Sequence, residues 1–356
     1  MKRLNTVHHD RPAGRHSRFG IDWQSPAMYQ LVRRLGAVTT VGMFIVLLMG
    51  ATVTNTGSAQ GCGKSWPLCH GKFIPTFAVS TAIEFSHRAV TGIESILIIA
   101  LAIGAWAQWG RRREIRWLVP LMLFFLFLQA ALGALAVKYP TSPEVLALHF
   151  GISLTAFASV LLTTVFLYDV RGAERLRNRP LTPGLRGFIW GSLAYLYVIV
   201  YLGAYVRHSN ASLACTDWPL CQGKAFPGFG GDVGLVFIHR LAAAAGVLVL
   251  GGLVLWAARH KQERPDLYRG SILSFGLIIL QSLLGALVVF ARMDLFSTIS
   301  HAGGASLLFG AVSYLCYQTL RLPATAAEPR APATLPLSEP GPVAVGSTAS
   351  AGRTRT

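Results

Sequence analysis

Long apolar stretches separated by short polar segments dominate the chain. Eight of these stretches reach or approach the roughly 20 residues that a helix needs to cross a bilayer. They lie at 33–54, 80–108, 117–138, 144–168, 187–206, 233–258, 269–291 and 296–320. Because only helices and closed barrels satisfy their backbone groups in lipid, this pattern predicts an all-α integral membrane protein with eight transmembrane helices.

The polar segments carry an uneven charge. The net charge of +17 would suggest a nucleic-acid partner, but only 13% of the residues are charged, about half the share in a soluble domain. Most arginines lie before the first span, in every second loop and in the tail. Since arginine-rich loops stay cytoplasmic, we expect a multi-pass protein of the cell membrane with both termini cytoplasmic, surrounded by lipid and without a nucleic-acid partner.

An internal repeat organises the chain. The sequence WPLC occurs at 66–69 and again at 218–221, an offset of 152 residues. The same offset relates other pairs: His87-Arg88 and His239-Arg240, Gln129 and Gln281 within QxxLGAL, and His149 and His301. It predicts two tandem four-helix bundles, residues 33–168 and 187–320, related by a pseudo-two-fold axis along the membrane normal. A cytoplasmic N-terminal segment (1–32), a basic linker (169–186) and a disordered tail (321–356) complete the predicted domains.

Four histidines fall at matched depth within the repeat. His87 and His149 each lie about two turns into parallel spans that face each other across the first bundle, and His239 and His301 repeat this in the second. Two opposed imidazoles can ligate a heme iron axially. The alternatives are histidines that hydrogen-bond neighbouring helices, and zinc, which would want three or four ligands.

Polar residues next to the histidines have two interpretations each. Arg88 and Arg240 would pair with heme propionates, or they would extend to the membrane interface. Gln129 and Gln281 would hydrogen-bond a neighbouring helix beside a glycine, or contact the heme.

Cysteines bracket two of the loops predicted to face outward. Cys62 with Cys69, and Cys215 with Cys221, would form two disulfides on the oxidising side of the membrane. Each bond would fix a loop over a bundle, and the first pair alternatively exchanges thiols or electrons.

Two carboxylates distinguish the copies. Glu84 lies one turn before His87, where the second copy has Val236. It is interpreted either as part of a helix capping box with Thr81 or as an acid–base group beside a reacting heme, which would make the first copy the reactive one. Glu94 has Gly246 as its counterpart, and its role stays open.

These motifs together resemble the heme A synthase family. The resemblance rests on the loop NTGS…C…WPLCHG at 55–71, on Glu84-x-x-His87-Arg88, and on the other three histidines, and it spans about 33–320. It implies oxidation of the C8 methyl of heme O to a formyl group by successive hydroxylations.

The resemblance also implies a division of labour. His239 and His301 would ligate a heme b cofactor, His87 and His149 would ligate the substrate heme O, and Glu84 would be catalytic. A heme O synthase would act upstream, heme A would serve terminal oxidases, and the electron donor is left open. The alternative function is a bis-histidine cytochrome b that carries electrons without substrate chemistry.

Overall fold

The computed structural model describes residues 22–23, 25–75, 78–139, 142–169 and 181–320. Most of these residues lie in eight long helices: α1 (Pro26–Asn55), α2 (Val79–Trp109), α3 (Arg113–Lys138), α4 (Pro143–Tyr168), α5 (Pro183–His208), α6 (Gly231–Ala258), α7 (Pro265–Phe290) and α8 (Leu295–Thr319). Each is long and apolar enough to cross a membrane. The predicted all-α class with eight spans is confirmed.

Local signals set where the helices begin. The Ser25 and Thr182 side chains accept hydrogen bonds from backbone N–H groups in the first turns of α1 and α5, and a proline follows each cap. Asp294 caps α8 through its carboxylate, which accepts from the N–H groups of Phe296 and Ser297. These side chains satisfy donors that have no partner within a helix.

The first helix begins earlier than the hydrophobic pattern predicted. It starts at Pro26, so residues 26–32, placed in the N-terminal segment, belong to the helix. The first turn is held by aromatic packing, since the centre of the Tyr29 ring lies 5.1 Å from the centre of the Trp109 ring on α2. A hydropathy criterion cannot register this partner, because Trp109 is far away in sequence.

The helices pack as two rings of four. In the first half α1 contacts α2 and α4, and α3 contacts α2 and α4, so α2 and α4 are diagonal. The second half repeats these contacts with α5 to α8. Across the halves α4 meets α8 and α5, and α1 meets α8. The same set of contacts is obtained when α1 to α4 are exchanged with α5 to α8, as expected for a pseudo-two-fold relation. The axis itself and the predicted domain bounds stay predictions.

The helices at the junction of the halves are the most enclosed. α4 and α8 bury over half of their apolar segments, whereas the other six bury a third or less of theirs, which suits helices that face lipid. At one end of the junction, the Arg207 guanidinium of α5 donates to the Asn55 side chain of α1 at 2.7 Å. The predicted disordered tail and most of the basic linker lie outside the described residues.

Candidate functional site

Each of the four histidines faces a glycine on a neighbouring helix. The His87 ring lies against Gly50 of α1, and the His149 ring lies against Gly133 of α3. In the second half, His239 lies against Gly203 of α5 and His301 against Gly285 of α7. A Cβ atom on these glycines would stand 3.4, 3.6, 2.8 and 3.2 Å from the respective ring. Because glycine has no side chain, these four positions leave room for the imidazole rings.

The histidines are brought together in the predicted couples. His87 and His149 are near enough to interact electrostatically, and so are His239 and His301. Among the residues that the structure describes, the buried Nδ1 atoms of His87 and His149 have no hydrogen-bond partner. Buried polar atoms in a folded protein almost always have a partner, so these imidazoles suit a ligand.

The two glutamines of the repeat lie beside the second histidine of each couple. The Gln281 side-chain amide donates to the His301 carbonyl at 3.0 Å and lies 3.2 Å from the Nδ1 atom of the same ring. Gln129 is likewise buried. The contact between α7 and α8 fits the predicted structural role, and it places Gln281 directly on a candidate ligand.

Glu84 of α2 binds both the loop before this helix and Arg88 on the next turn of the helix. One carboxylate oxygen accepts from the backbone N–H of Cys62 at 2.7 Å, and the other pairs with Arg88 at 2.5 Å. The side chain is only 3% exposed. The capping-box interpretation is wrong, because α2 begins at Val79 after Ala78, and the Thr81 hydroxyl donates to the Gly61 carbonyl.

Both arginines after the first histidines hold the WPLC loops. Arg88 donates to the carbonyls of Ser65 and Leu68 at 2.7 and 3.0 Å. Arg240 donates to the equivalent carbonyls of Asp217 and Leu220 at 2.8 and 2.6 Å. A guanidinium group suits this task because its donors are fixed in a fork. The contacts with heme propionates stay a prediction.

The predicted cysteine pairs form disulfides. Cys62 bonds to Cys69 and Cys215 bonds to Cys221, and all four are buried. A tight turn follows each WPLC motif, with positive φ at His70-Gly71 and at Gln222-Gly223. The first loop is one residue longer between its cysteines, so the repeat offset is 153 before this point and 152 after it.

A carboxylate within the loop of the second disulfide stabilises the turn that follows it. Asp217 accepts hydrogen bonds from the backbone N–H groups of Gln222 and Gly223 at 2.7 and 2.8 Å. The hydrogen bond from Gly223 is the main reason that the pKa of Asp217 lies below its usual range. Its counterpart in the first loop is Ser65, so the two loops are stabilised by different residues.

Sequence reasoning missed several residues of the first site. His208, the last residue of α5, lies near enough to His149 to interact with it electrostatically. Gly151, two residues beyond His149, receives the Tyr197 ring of α5. Both neighbours come from the second half, and no local pattern announces a contact over such a sequence separation. For the glycines opposite His87 and His239 a sequence signal was available, because the Gly-Ala pair at 50–51 is repeated at 203–204.

The residues present fit a heme in each half. Each site offers two histidines that are near one another, room provided by glycines and buried apolar neighbours, which suits a heme in a helical bundle. Among the described parts of the chain, no group of three or more potential ligands of a metal ion comes together. The fold and the sites thus define a class: a multi-pass helical membrane protein with two paired-histidine sites.

Comparison with known proteins specifies the class. Residues 33–313 match the family described as Cytochrome oxidase assembly protein. A Heme A synthase of Geobacillus thermodenitrificans is 42% identical over 304 residues, 84% of this chain and 96% of the relative. A Heme A synthase of Symbiobacterium thermophilum is 42% identical over 295 residues, 81% of this chain and 95% of the relative. The chain belongs to the heme A synthase family.

Proposed function

We propose that this protein is a heme A synthase that oxidises the C8 methyl group of heme O to a formyl group by successive hydroxylations. The observation that carries the proposal is an inequality between two otherwise matched sites. Both halves present a histidine couple beside glycines, but only the first adds a buried carboxylate, Glu84, one turn from its histidine. A protein that only relayed electrons would need no carboxylate in just one site.

The second half holds the cofactor in this proposal. His239 and His301 ligate heme b, and Gln281 orients the His301 ring through its amide. Such contacts from neighbouring residues fix the orientation of a metal ligand and tune it. The bound heme b supplies one-electron chemistry, and its electron donor is a partner still to be identified.

The first half holds the substrate. His87 and His149 ligate heme O, which a heme O synthase supplies. Glu84 stands between the site and the disulfide loop, and its ion pair with Arg88 keeps it in one orientation. A fixed carboxylate can take or stabilise a proton beside the reacting group. The loop held by Arg88 covers this end of the bundle and restricts the entry of water.

Orientation follows from the distribution of arginines. We infer that the arginine-rich segments are cytoplasmic, which puts both termini inside and the two disulfide loops on the outer face. That placement is compatible with the disulfides, because such bonds persist on the oxidising side.

The test is production of oxidised heme in cells. The full-length protein is co-expressed with a heme O synthase in a host without a heme A synthase, and the extracted hemes are analysed by mass spectrometry. We expect hydroxylated and formyl derivatives of heme O, and their loss in a His87→Ala variant. Unchanged heme O, with folded protein and heme b still bound, would contradict the proposal and favour an electron carrier.

A further inference from the structure

Glu94 is a buried carboxylic acid for which the proposed mechanism has no use. Its side chain is 3% exposed, and within the described part of the chain its Oε1 atom has no hydrogen-bond partner. An unpaired charge at this depth of a span would be expensive, so a neutral carboxyl group is favoured. A neutral carboxyl group can both donate and accept a hydrogen bond.

The space for Glu94 is made by a glycine. Its carboxyl group packs so closely on Gly42 of α1 that a side chain at position 42 would collide with it. The second half reverses the arrangement: Gly246 replaces Glu94, and Tyr195 of α5 extends toward it. The Tyr195 hydroxyl is satisfied there, since it donates to the Ala242 carbonyl at 3.0 Å. At this position, among the described residues, the first half leaves a buried polar atom of Glu94 unpartnered and the second half does not.

Glu94 lies on the same side of α2 as His87. Both side chains pack against glycines of α1, His87 against Gly50 and Glu94 against Gly42. Seven residues separate Glu94 from His87, which places it about 10 Å further along the helix axis. Glu84 lies about one turn away on the other side of His87. The first site is therefore flanked by a carboxyl group at each end, along one helix.

A polar stripe accompanies Glu94 in the first half alone. Thr91 and Ser95 lie on the turns between and beside His87 and Glu94, and their hydroxyl groups donate to carbonyls of α2 itself. Their counterparts in the second half are Ala243 and Val247. Along this helix the first site thus carries hydroxyl and carboxyl groups toward the middle of the span, where the second has alanine, valine and glycine.

We propose that Glu94 determines substrate specificity by hydrogen-bonding the hydroxyl group that heme O carries where its isoprenoid chain joins the porphyrin. This inference rests on the proposed function, in which His87 and His149 hold heme O. Heme b has no hydroxyl group at that position. A site built to hydrogen-bond a substrate hydroxyl rejects an analogue that lacks it, because the buried polar group is then left unpaired.

The test is ligand discrimination by the first site. The purified full-length protein, with heme b bound in its second half, is titrated with heme O and separately with heme b, and binding is followed by absorption. A His87→Ala variant supplies the background. We expect Glu94→Leu to weaken heme O binding about tenfold, the value of one buried hydrogen bond. Its heme b binding should change less than about twofold.

Two further variants separate hydrogen bonding from packing. Glu94→Gln retains a donor and an acceptor and should stay within about twofold of the wild type for heme O. Ser192→Ala removes a buried hydroxyl group of the second half that bonds its own helix, and it should show no selective effect. Heme b retained in the second half reports folding, and Glu94→Met replaces Glu94→Leu under the same criteria if the leucine variant loses it.

Each remaining outcome is decisive. Equal weakening of both hemes by Glu94→Leu would reduce Glu94 to a packing role, and no weakening would show that it does not contact the substrate. If the wild-type protein binds heme O no better than His87→Ala does, the proposed function fails and takes this inference with it. If the wild-type protein binds heme O at His87 but binds heme b there equally well, the proposed function stands and this inference alone is overturned.

Discussion

The Glu84 carboxylate accepts a hydrogen bond from the backbone N–H of Cys62 at 2.7 Å, so it joins the site helix α2 to the first disulfide loop. The second half has no such link, because Val236 replaces Glu84 and Arg240 instead donates to the Cys215 carbonyl at 3.1 Å. The two halves therefore share a frame of histidines, glycines and arginines. They differ in whether a carboxylate of the site helix also binds the loop.

Replacing Glu84 should separate catalysis from cofactor binding. We expect Glu84→Ala to abolish conversion of heme O while heme b stays bound at His239 and His301, which lie in the other half. Heme extraction and mass analysis measure conversion, and the absorption spectrum measures bound heme b. Val236→Ala at the equivalent position is the matched control and should convert heme O normally.

The outcome that would contradict this division is loss of all heme from Glu84→Ala. That result would give Glu84 a role in the folding of both halves. A Glu84→Ala protein that still produces heme A would remove Glu84 from the chemistry.

The same variant should loosen the first disulfide loop. Without the carboxylate, the Cys62 N–H group and the Arg88 guanidinium each lose a buried partner. We expect Cys62–Cys69 to be reduced faster than in the wild type at a fixed thiol concentration, with Cys215–Cys221 unchanged. Mass analysis after timed alkylation resolves the two bonds. Equal acceleration of both would indicate general unfolding instead.

Much of this architecture could be predicted because its signals are local or periodic. The spans follow from apolar stretches, and the histidine couples follow from one offset that also relates the WPLC motifs. The start of α1 could not be predicted in this way, since its first turn is held by Trp109 from another helix. Features that follow from local patterns could therefore be predicted, and features that depend on contacts distant in sequence could not.

The environment of the site was the harder part. The loop carbonyls that Arg88 and Arg240 bind present no side-chain signal, so a propionate was the natural partner to expect. The glycines opposite His87 and His239 are repeated, but their offset is 153 because the first loop is one residue longer. A search at a single offset passes over them.

Filling the glycine opposite a histidine should remove heme where the added Cβ atom would collide with the ring. A Cβ atom at Gly203 would stand 2.8 Å from the His239 ring, closer than real contacts allow, whereas one at Gly50 would stand 3.4 Å from His87. We therefore expect Gly203→Ala to lose most heme b, and Gly50→Ala to keep most of its substrate binding. Bound heme per protein is measured after purification.

A glycine in open surroundings provides the control for that experiment. Gly187 lies on α5 with Gly203, and no atom stands within 4 Å of the position where its Cβ atom would be. Gly187→Ala should retain full heme b content. Equal loss in Gly187→Ala and Gly203→Ala would mean that helix flexibility, and not room for the ring, explains the glycine.

Removing an arginine anchor should destabilise its loop. Arg240→Leu leaves the carbonyls of Asp217 and Leu220 without their donor, which should cost about 2 kcal/mol in free energy of unfolding. A lower thermal midpoint in detergent and faster proteolysis within 209–230 would show it. Lys224→Leu removes an exposed cation of the same loop and should leave both properties unchanged. Similar losses in both variants would show that the positive charge of the loop, and not the hydrogen bonds from Arg240, stabilises it.

The central claim is that each histidine couple holds its own heme, heme b in the second half and the substrate in the first. Its most direct test is the heme content of His239→Ala and His87→Ala proteins purified from cells that lack a heme O synthase. The account predicts no bound heme in His239→Ala and wild-type heme b in His87→Ala. Heme b retained by His239→Ala, or lost equally from both variants, would contradict it.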